Sequence, residues 1–106
     1  MKENLADLFE KAYGSEELTE KEVTALNQDV ISVLEELDSY RETGVMPRYL
    51  SGLISDEPLK AAYLLAAGFA MSSKEEDVAI AEKIVDDALD GRFDRQALDK
   101  MIEGDL

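Results

Sequence analysis

The sequence predicts an all-α fold, a single-domain helical bundle of four main helices with one or two short capping helices. Three observations carry that expectation. Apolar residues recur at intervals of three and four along most of the chain, the spacing that places them on one face of a helix. No segment shows the period-two alternation of a half-buried strand. Helix start and stop signals, among them Gly14, Thr19, Gly44, Gly91 and Asp94, divide the chain into helix-sized pieces. At 106 residues the chain has room for one domain, residues 1–106, since domains cluster at about 100 to 150 residues. Area scaling for this mass gives a folded surface of roughly 5,900 Å², so about two-thirds of the chain's surface can be buried.

The first expected helix covers Lys2 to Tyr13, with Leu5, Leu8, Phe9, Ala12 and Tyr13 on one face and Gly14 as its stop. Thr19-Glu20-Lys21-Glu22 has the form of a capping box, in which the Thr hydroxyl and the Glu carboxylate satisfy two backbone donors, so a second helix begins near Glu20. Val23, Leu26, Val30, Val33, Leu37 and Tyr40 carry it forward, Ile31 and Leu34 widen the apolar stripe, and Gly44 closes it. At 1.5 Å per residue this helix is about 36 Å long, and on length alone it is the expected spine of the fold. Its seam covers under three heptads, too little for a free-standing coiled coil, so it belongs to an intramolecular bundle.

Gly44-Val45-Met46-Pro47 reads as a turn, with Pro47 at the first position of a short helix through Ile54 that presents Leu50, Leu53 and Ile54. Ser55 or Asp56 is the expected cap of the next helix, with Glu57 and Pro58 in its first turn. From Ala61 to Met71 every residue is apolar or Gly, which marks a central core helix buried all round; the run is far short of the roughly 20 residues a bilayer requires. Ala62, Ala66, Ala67 and Gly68 let a neighbouring backbone approach. Ser72-Ser73-Lys74-Glu75-Glu76 caps a further helix that buries Val78, Ala81, Ile84, Val85, Ala88 and Leu89 and stops at Gly91. Asp94 caps a last short helix with Ala97, Leu98, Met101 and Ile102, ended by Gly104.

Composition narrows the chemistry. The chain has no Cys, His or Trp, which removes disulfides, thiol and imidazole catalysis, and Cys/His zinc sites. Twenty-five acids against eleven bases give a net charge of −14, divided evenly as −7 in residues 1–53 and −7 in residues 54–106. The acidity belongs to the whole body rather than to a tail, and it opposes direct binding to nucleic acid or anionic lipid, which needs a basic footprint. Neither membrane insertion nor direct nucleic-acid binding is expected, and the favoured partner is another protein with a basic surface. The amino terminus shows no basic segment followed by an apolar run, so a cytoplasmic location is expected.

Catalytic and metal motifs are tested against spacing. Asp86-Asp87-Ala88-Leu89-Asp90-Gly91 imitates the start of a calcium loop, but the third and twelfth positions fall on Ala88 and Ala97, where oxygen ligands are required. No phosphate loop, dinucleotide fingerprint or nucleophile elbow occurs, and no Ser-x-x-Lys offers a base to a hydroxyl nucleophile. Glu16-Glu17-Leu18-Thr19-Glu20 followed by Glu35-Glu36-Leu37-Asp38 resembles the EExxE and ExxD pair of the all-α nucleotide pyrophosphohydrolases of the MazG type. That resemblance implies a Mg²⁺ enzyme with carboxylates drawn from neighbouring helices. Here both segments flank one helix, which sets Glu20 and Glu35 about 22 Å apart along its axis, too far to clamp one ion. No cofactor and no metal are therefore expected.

The leading functional expectation is a non-enzymatic protein that binds or inhibits another protein through an acidic helical surface. Glu16, Glu17, Glu20, Glu22, Asp29, Glu35, Glu36 and Asp38 line or precede the long helix, and with Lys21 as the only base from 16 to 38 that segment alone is −7. In its narrower form this is a nucleic-acid mimic that occupies the basic channel of its partner, with fast and salt-sensitive association. A second expectation comes from Leu34, Leu37 and Tyr40 on the long helix, then Gly44, Pro47, Leu50, Leu53 and a helix opening at Met71-Ser72. This layout, over roughly residues 34–90, resembles the four-helix-bundle immunity proteins that protect bacteria from their own pediocin-like bacteriocins, and it implies a membrane transporter bound from the cytoplasmic side. Those proteins are basic where this chain is acidic. The short helices at 47–54 and 95–103 cap the bundle or, alternatively, form a homodimer surface.

Overall fold

A computed structural model describes residues 2–103. It contains six helices, α1 (Lys2–Tyr13), α2 (Glu20–Thr43), α3 (Arg48–Asp56), α4 (Pro58–Ala70), α5 (Glu75–Leu89) and α6 (Arg95–Glu103), and no strand among the described residues. The all-α expectation holds, with α1, α2, α4 and α5 as the main helices and α3 and α6 as the short ones. A Cα radius of gyration of 13.0 Å matches the roughly 13 Å of a compact chain of this length. No helix among the described residues is long and apolar enough to cross a membrane.

Local signals set most of the boundaries. The capping box at α2 forms completely: the Thr19 Oγ1 accepts from Glu22 N at 3.2 Å, and the Glu22 carboxylate accepts from Thr19 N at 2.9 Å. Gly44 closes α2 in the left-handed conformation at φ 76°, which strains any residue with a Cβ, and its N–H donates to Tyr40 O. At the end of α5, Arg92 N donates to Asp87 O and Gly91 N to Ala88 O around Gly91 at φ 75°, a Schellman closure. Asp94 Oδ1 accepts from Ala97 N at 2.8 Å and starts α6. The expected stop at Gly104 lies outside the described residues.

Three boundaries differ from the expectation. Pro47 is the extended residue before α3 (φ −62°, ψ 151°) rather than its first helical residue. Ser55 and Asp56 complete the last turn of α3 instead of capping α4, and Glu57 serves as the junction of both helices at φ −137°, ψ 66°. The cause is Pro58, whose ring excludes the helical conformation from the residue before it. Lys74, not Ser72 or Ser73, is the cap of α5, and it makes no side-chain cap hydrogen bond. Ser72 instead accepts from Lys74 N and donates to Asp77 at 2.7 Å, a turn that leads into the helix.

The centre of the bundle is α4. It packs against α1, α2, α3 and α5, most extensively α5, and Ala61, Ala62, Leu64, Leu65, Ala66, Gly68 and Phe69 are buried along it. The long helix α2 is therefore not the spine: it packs on α4 mainly through its second half, where Val30, Val33 and Leu37 are buried. Gly68 makes that contact close. A Cβ placed there would meet the Leu34 side chain at 2.6 Å, so this glycine is what lets α2 settle on α4. The eleven-residue apolar run is not buried all round, because Met71 follows the last turn of α4 and is 83% exposed. Val23 and Ile31 of α2, expected in the apolar stripe, are also exposed: Val23 lies in the first half of the helix, where only Leu26 is partly covered, and Ile31 is turned away from the buried face of Val30, Val33 and Leu37. The accessible surface of 6831 Å² exceeds the roughly 5,900 Å² expected for this mass, in keeping with helices that leave space between them.

Candidate functional site

Among the side chains described from residue 5 to residue 102, no ionisable group is fully buried, although Tyr13, Glu36 and Tyr63 are partly covered. Of the eight acids singled out in the sequence, Glu16 and Glu17 stand exposed in the connection between α1 and α2, and Glu20, Glu22, Asp29, Glu35 and Asp38 are exposed on α2. None of the eight is within ion-pair distance of a Lys or Arg among the described residues; the ion pairs there are Lys60–Glu57, Arg92–Asp87 and Arg92–Asp90.

Helical periodicity divides the α2 acids into two flanks. Glu20, Glu35 and Asp38 lie on one side of the buried stripe formed by Val30, Val33 and Leu37, and Glu22, Asp29 and Glu36 lie on the other. Two members of the second flank hold structure. Glu22 closes the capping box, and the half-buried Glu36 accepts from Leu50 N at 2.9 Å. Leu50 N is in the first turn of α3, whose own cap position holds Pro47 and offers no side-chain acceptor, so Glu36 supplies from α2 the carboxylate that α3 lacks. Sequence reasoning placed Glu36 on a binding face; its hydrogen bond assigns it to the fold.

Beside that flank stands a group of tyrosines. The Phe9, Tyr13 and Tyr63 rings pack with centroids 5.1 to 5.8 Å apart, and the Lys60 ammonium sits 5.3 Å from the Tyr13 centroid. Burial pushes the Tyr13 hydroxyl up to about 12, with Asp29 and Glu57 adding to the rise. The more exposed Tyr49 is raised by burial first and then by the negative field of Asp29, Glu36 and Glu57. Tyr40 is raised mainly by its 2.6 Å hydrogen bond to Asp99, which ties α2 to α6.

The sequence did not show the hollows between the first two helices. Helices α1 and α2 both pack on α4 but hardly on each other. One hollow, of about 710 Å³, is walled by Leu5, Phe9 and Glu10 of α1, Glu16 and Leu18 of the connection, and Leu26 and Tyr63. A second, of about 670 Å³, adjoins it at Leu5, Leu26 and Tyr63 and continues past Val30 and Ile31 to Ala67, Ala70, Met71 and Val78. Both are predominantly apolar, and no Lys or Arg among the described residues lines either. The signal available in sequence was an apolar stripe on α2 too wide for its partners, carried by Ile31 and Val23.

Carboxylates do not converge elsewhere. No group of three acids placed to hold a metal ion occurs among the described residues, and the unbroken α2 keeps Glu20 and Glu35 about 22 Å apart. Asp86 to Gly91 form a helix end. Met71 and Ser72 close α4 rather than open a helix, and the next helix begins at Glu75. No protein-family model, curated protein or solved structure matches the chain. The functional reading therefore rests on geometry and charge alone.

Proposed function

We propose that this domain is a binding protein that engages a basic surface of another protein through its acidic helical face, without chemistry of its own. The observation that carries this reading is the set of exposed carboxylates from Glu16 to Asp38 that have no cationic neighbour within ion-pair distance among the described residues. Charges left in water in this way contribute little to folding stability, and their repulsion opposes it, whereas they accelerate encounter with a cationic partner. A nucleic-acid mimic is the narrower form of the same reading. The division of the α2 acids into two flanks favours a basic helix or patch as counterpart over a channel shaped for a duplex.

The test compares the wild-type domain with the quintuple variant Glu16→Gln, Glu17→Gln, Glu20→Gln, Glu35→Gln, Asp38→Asn, which leaves the structural Glu22 and Glu36 in place. Tagged protein is exposed to host lysate at low and high salt, and retained proteins are identified by mass spectrometry. The expected result is basic proteins held by the wild type, released by salt and absent from the variant. Retention indifferent to both salt and substitution contradicts the proposal, and a rise in melting temperature specific to Mg²⁺ or Mn²⁺ would shift the reading to a carboxylate enzyme.

A further inference from the structure

The two hollows beside α1 and α2 give the proposed partner a definite chemistry. Their walls leave apolar groups in water: Ile31 is 51% exposed and Met71 83% exposed, on a protein whose other large side chains are mostly covered. Acids frame them. Glu10 and Glu16 stand at the first hollow, and Glu35 lies one turn beyond Ile31 on the same stripe of α2. We infer that the hollows receive the apolar face of a basic amphipathic helix from a partner protein, with one anchor in each hollow and its Lys or Arg residues toward Glu10, Glu16 and Glu35. This inference rests on the acidic-surface reading above and adds the shape and patterning of the ligand.

Charge selects this occupant over a second copy of the chain. A copy brings another −14 to an acid-framed site, whereas a cationic helix lowers the repulsion already present. Shape selects it over a small apolar molecule at the first hollow, which is widely open, whereas small-ligand sites enclose most of what they bind. A helix laid in an apolar groove needs contacts on one face only, at i, i+4 and i+7. The hollows share Leu5, Leu26 and Tyr63, so their anchors belong one to two turns apart, about 6 to 10 Å at 1.5 Å per residue. The 12-residue α1 bounds the site at about 18 Å, three turns of a bound helix.

The chain has no Trp, so a tryptophan placed in a peptide reports alone. The probe is a synthetic Leu/Lys peptide of about four turns with one Trp on its apolar face. Two controls accompany it, an isomer with the apolar residues scattered and a Leu/Glu version of the same pattern. The expected result is saturable binding of the Leu/Lys peptide with a blue shift of Trp emission. Ile31→Glu and Met71→Glu should each weaken it about tenfold, the effect of losing an interface contact worth a little over 1 kcal/mol. Both sites are exposed, so each variant should melt with the wild type, and Val45→Glu, in the turn after α2, should bind normally. Equal binding of the scattered isomer without a blue shift overturns the groove and leaves the acidic-surface reading standing. Equal binding of the Leu/Glu peptide overturns the acidic-surface reading as well. Absence of binding by every peptide overturns the groove, as does self-association of the free protein that Ile31→Glu abolishes, which would make the occupant a second copy.

Discussion

The two halves of α2 obey the same helical periodicity and have opposite fates. From Val30 to Tyr40 the helix is held by tertiary contact: Val30, Val33 and Leu37 are buried, Leu34 lies against Gly68, Glu36 caps α3 and Tyr40 bonds to Asp99. From Glu20 to Asp29 only Leu26 is even partly covered, and the structure is held locally by the capping box at Thr19. Helical stability in proteins comes mainly from packing an apolar face, because an isolated helix of this length is marginal in water. The first half of α2 therefore leaves Val23, Glu20 and Asp29 in water, and it is this unpacked part, with Ile31 just beyond it, that the proposed binding surface uses.

The contrast between the halves can be broken or sharpened by substitution. The largest effect is expected at the packed half, where Leu37→Ala removes a fully covered side chain and should cost about 2 to 5 kcal/mol in denaturant unfolding. Val23→Ala, in the open half, should stay within about 0.5 kcal/mol of wild type, and equal losses at the two positions would erase the distinction. Next comes Gly68→Ala, whose Cβ must displace Leu34; a loss of about 1 to 3 kcal/mol is expected by the same measurement, and no loss would mean that α2 does not sit as closely on α4 as described. Glu36→Gln should cost about 1 kcal/mol through weakened capping of α3, against no resolvable change for Glu35→Gln beside it.

The smallest effect is a pH dependence at the edge of the open half. Tyr13 has a folded-state pKa of about 12 against an ordinary value of 10.0, so the folded state retains its proton longer than the unfolded chain does. Its contribution to stability is present in full below pH 10 and is lost as the pH rises toward 12. Tyr13→Phe should leave stability near neutrality little changed and flatten the decline above pH 10, measured as melting temperature against pH. An unchanged alkaline slope would show that Tyr13 is not covered by Phe9 and Tyr63.

Much of the fold was legible in the sequence because its signals are local. A capping box, a left-handed glycine and an Asp before a short helix each act within one turn, and α2 and α6 begin, and α1 and α2 end, where those residues placed them. Junctions decided by steric conflict were less legible: Pro58 reaches back to exclude Glu57 from helical geometry, which moved Ser55 and Asp56 into α3. Tertiary choices were legible only in part: the apolar run marked α4 as the central helix and Gly68 as a point of close approach, but not what would meet it. Which part of α2 meets α4 depends on Gly68 opposite Leu34, and Glu36 acquires a capping role only because α3 begins beside it without an acceptor of its own. The acids of the candidate surface were readable from composition, whereas the hollows, of which Glu16 lines one, exist only through the separation of α1 from α2.

Amide hydrogen exchange along α2, with and without the Leu/Lys peptide, tests most directly the claim that its first half is an open binding wall and its second half a structural element. In the free protein, residues past the first turn up to Asp29 should exchange much faster than residues 33–40, and the peptide should slow the first set, together with Val30 and Ile31 at the hollow, while leaving residues 36–40 unchanged. Uniform protection along the free helix, or slowing that spares residues up to Asp29, would contradict it.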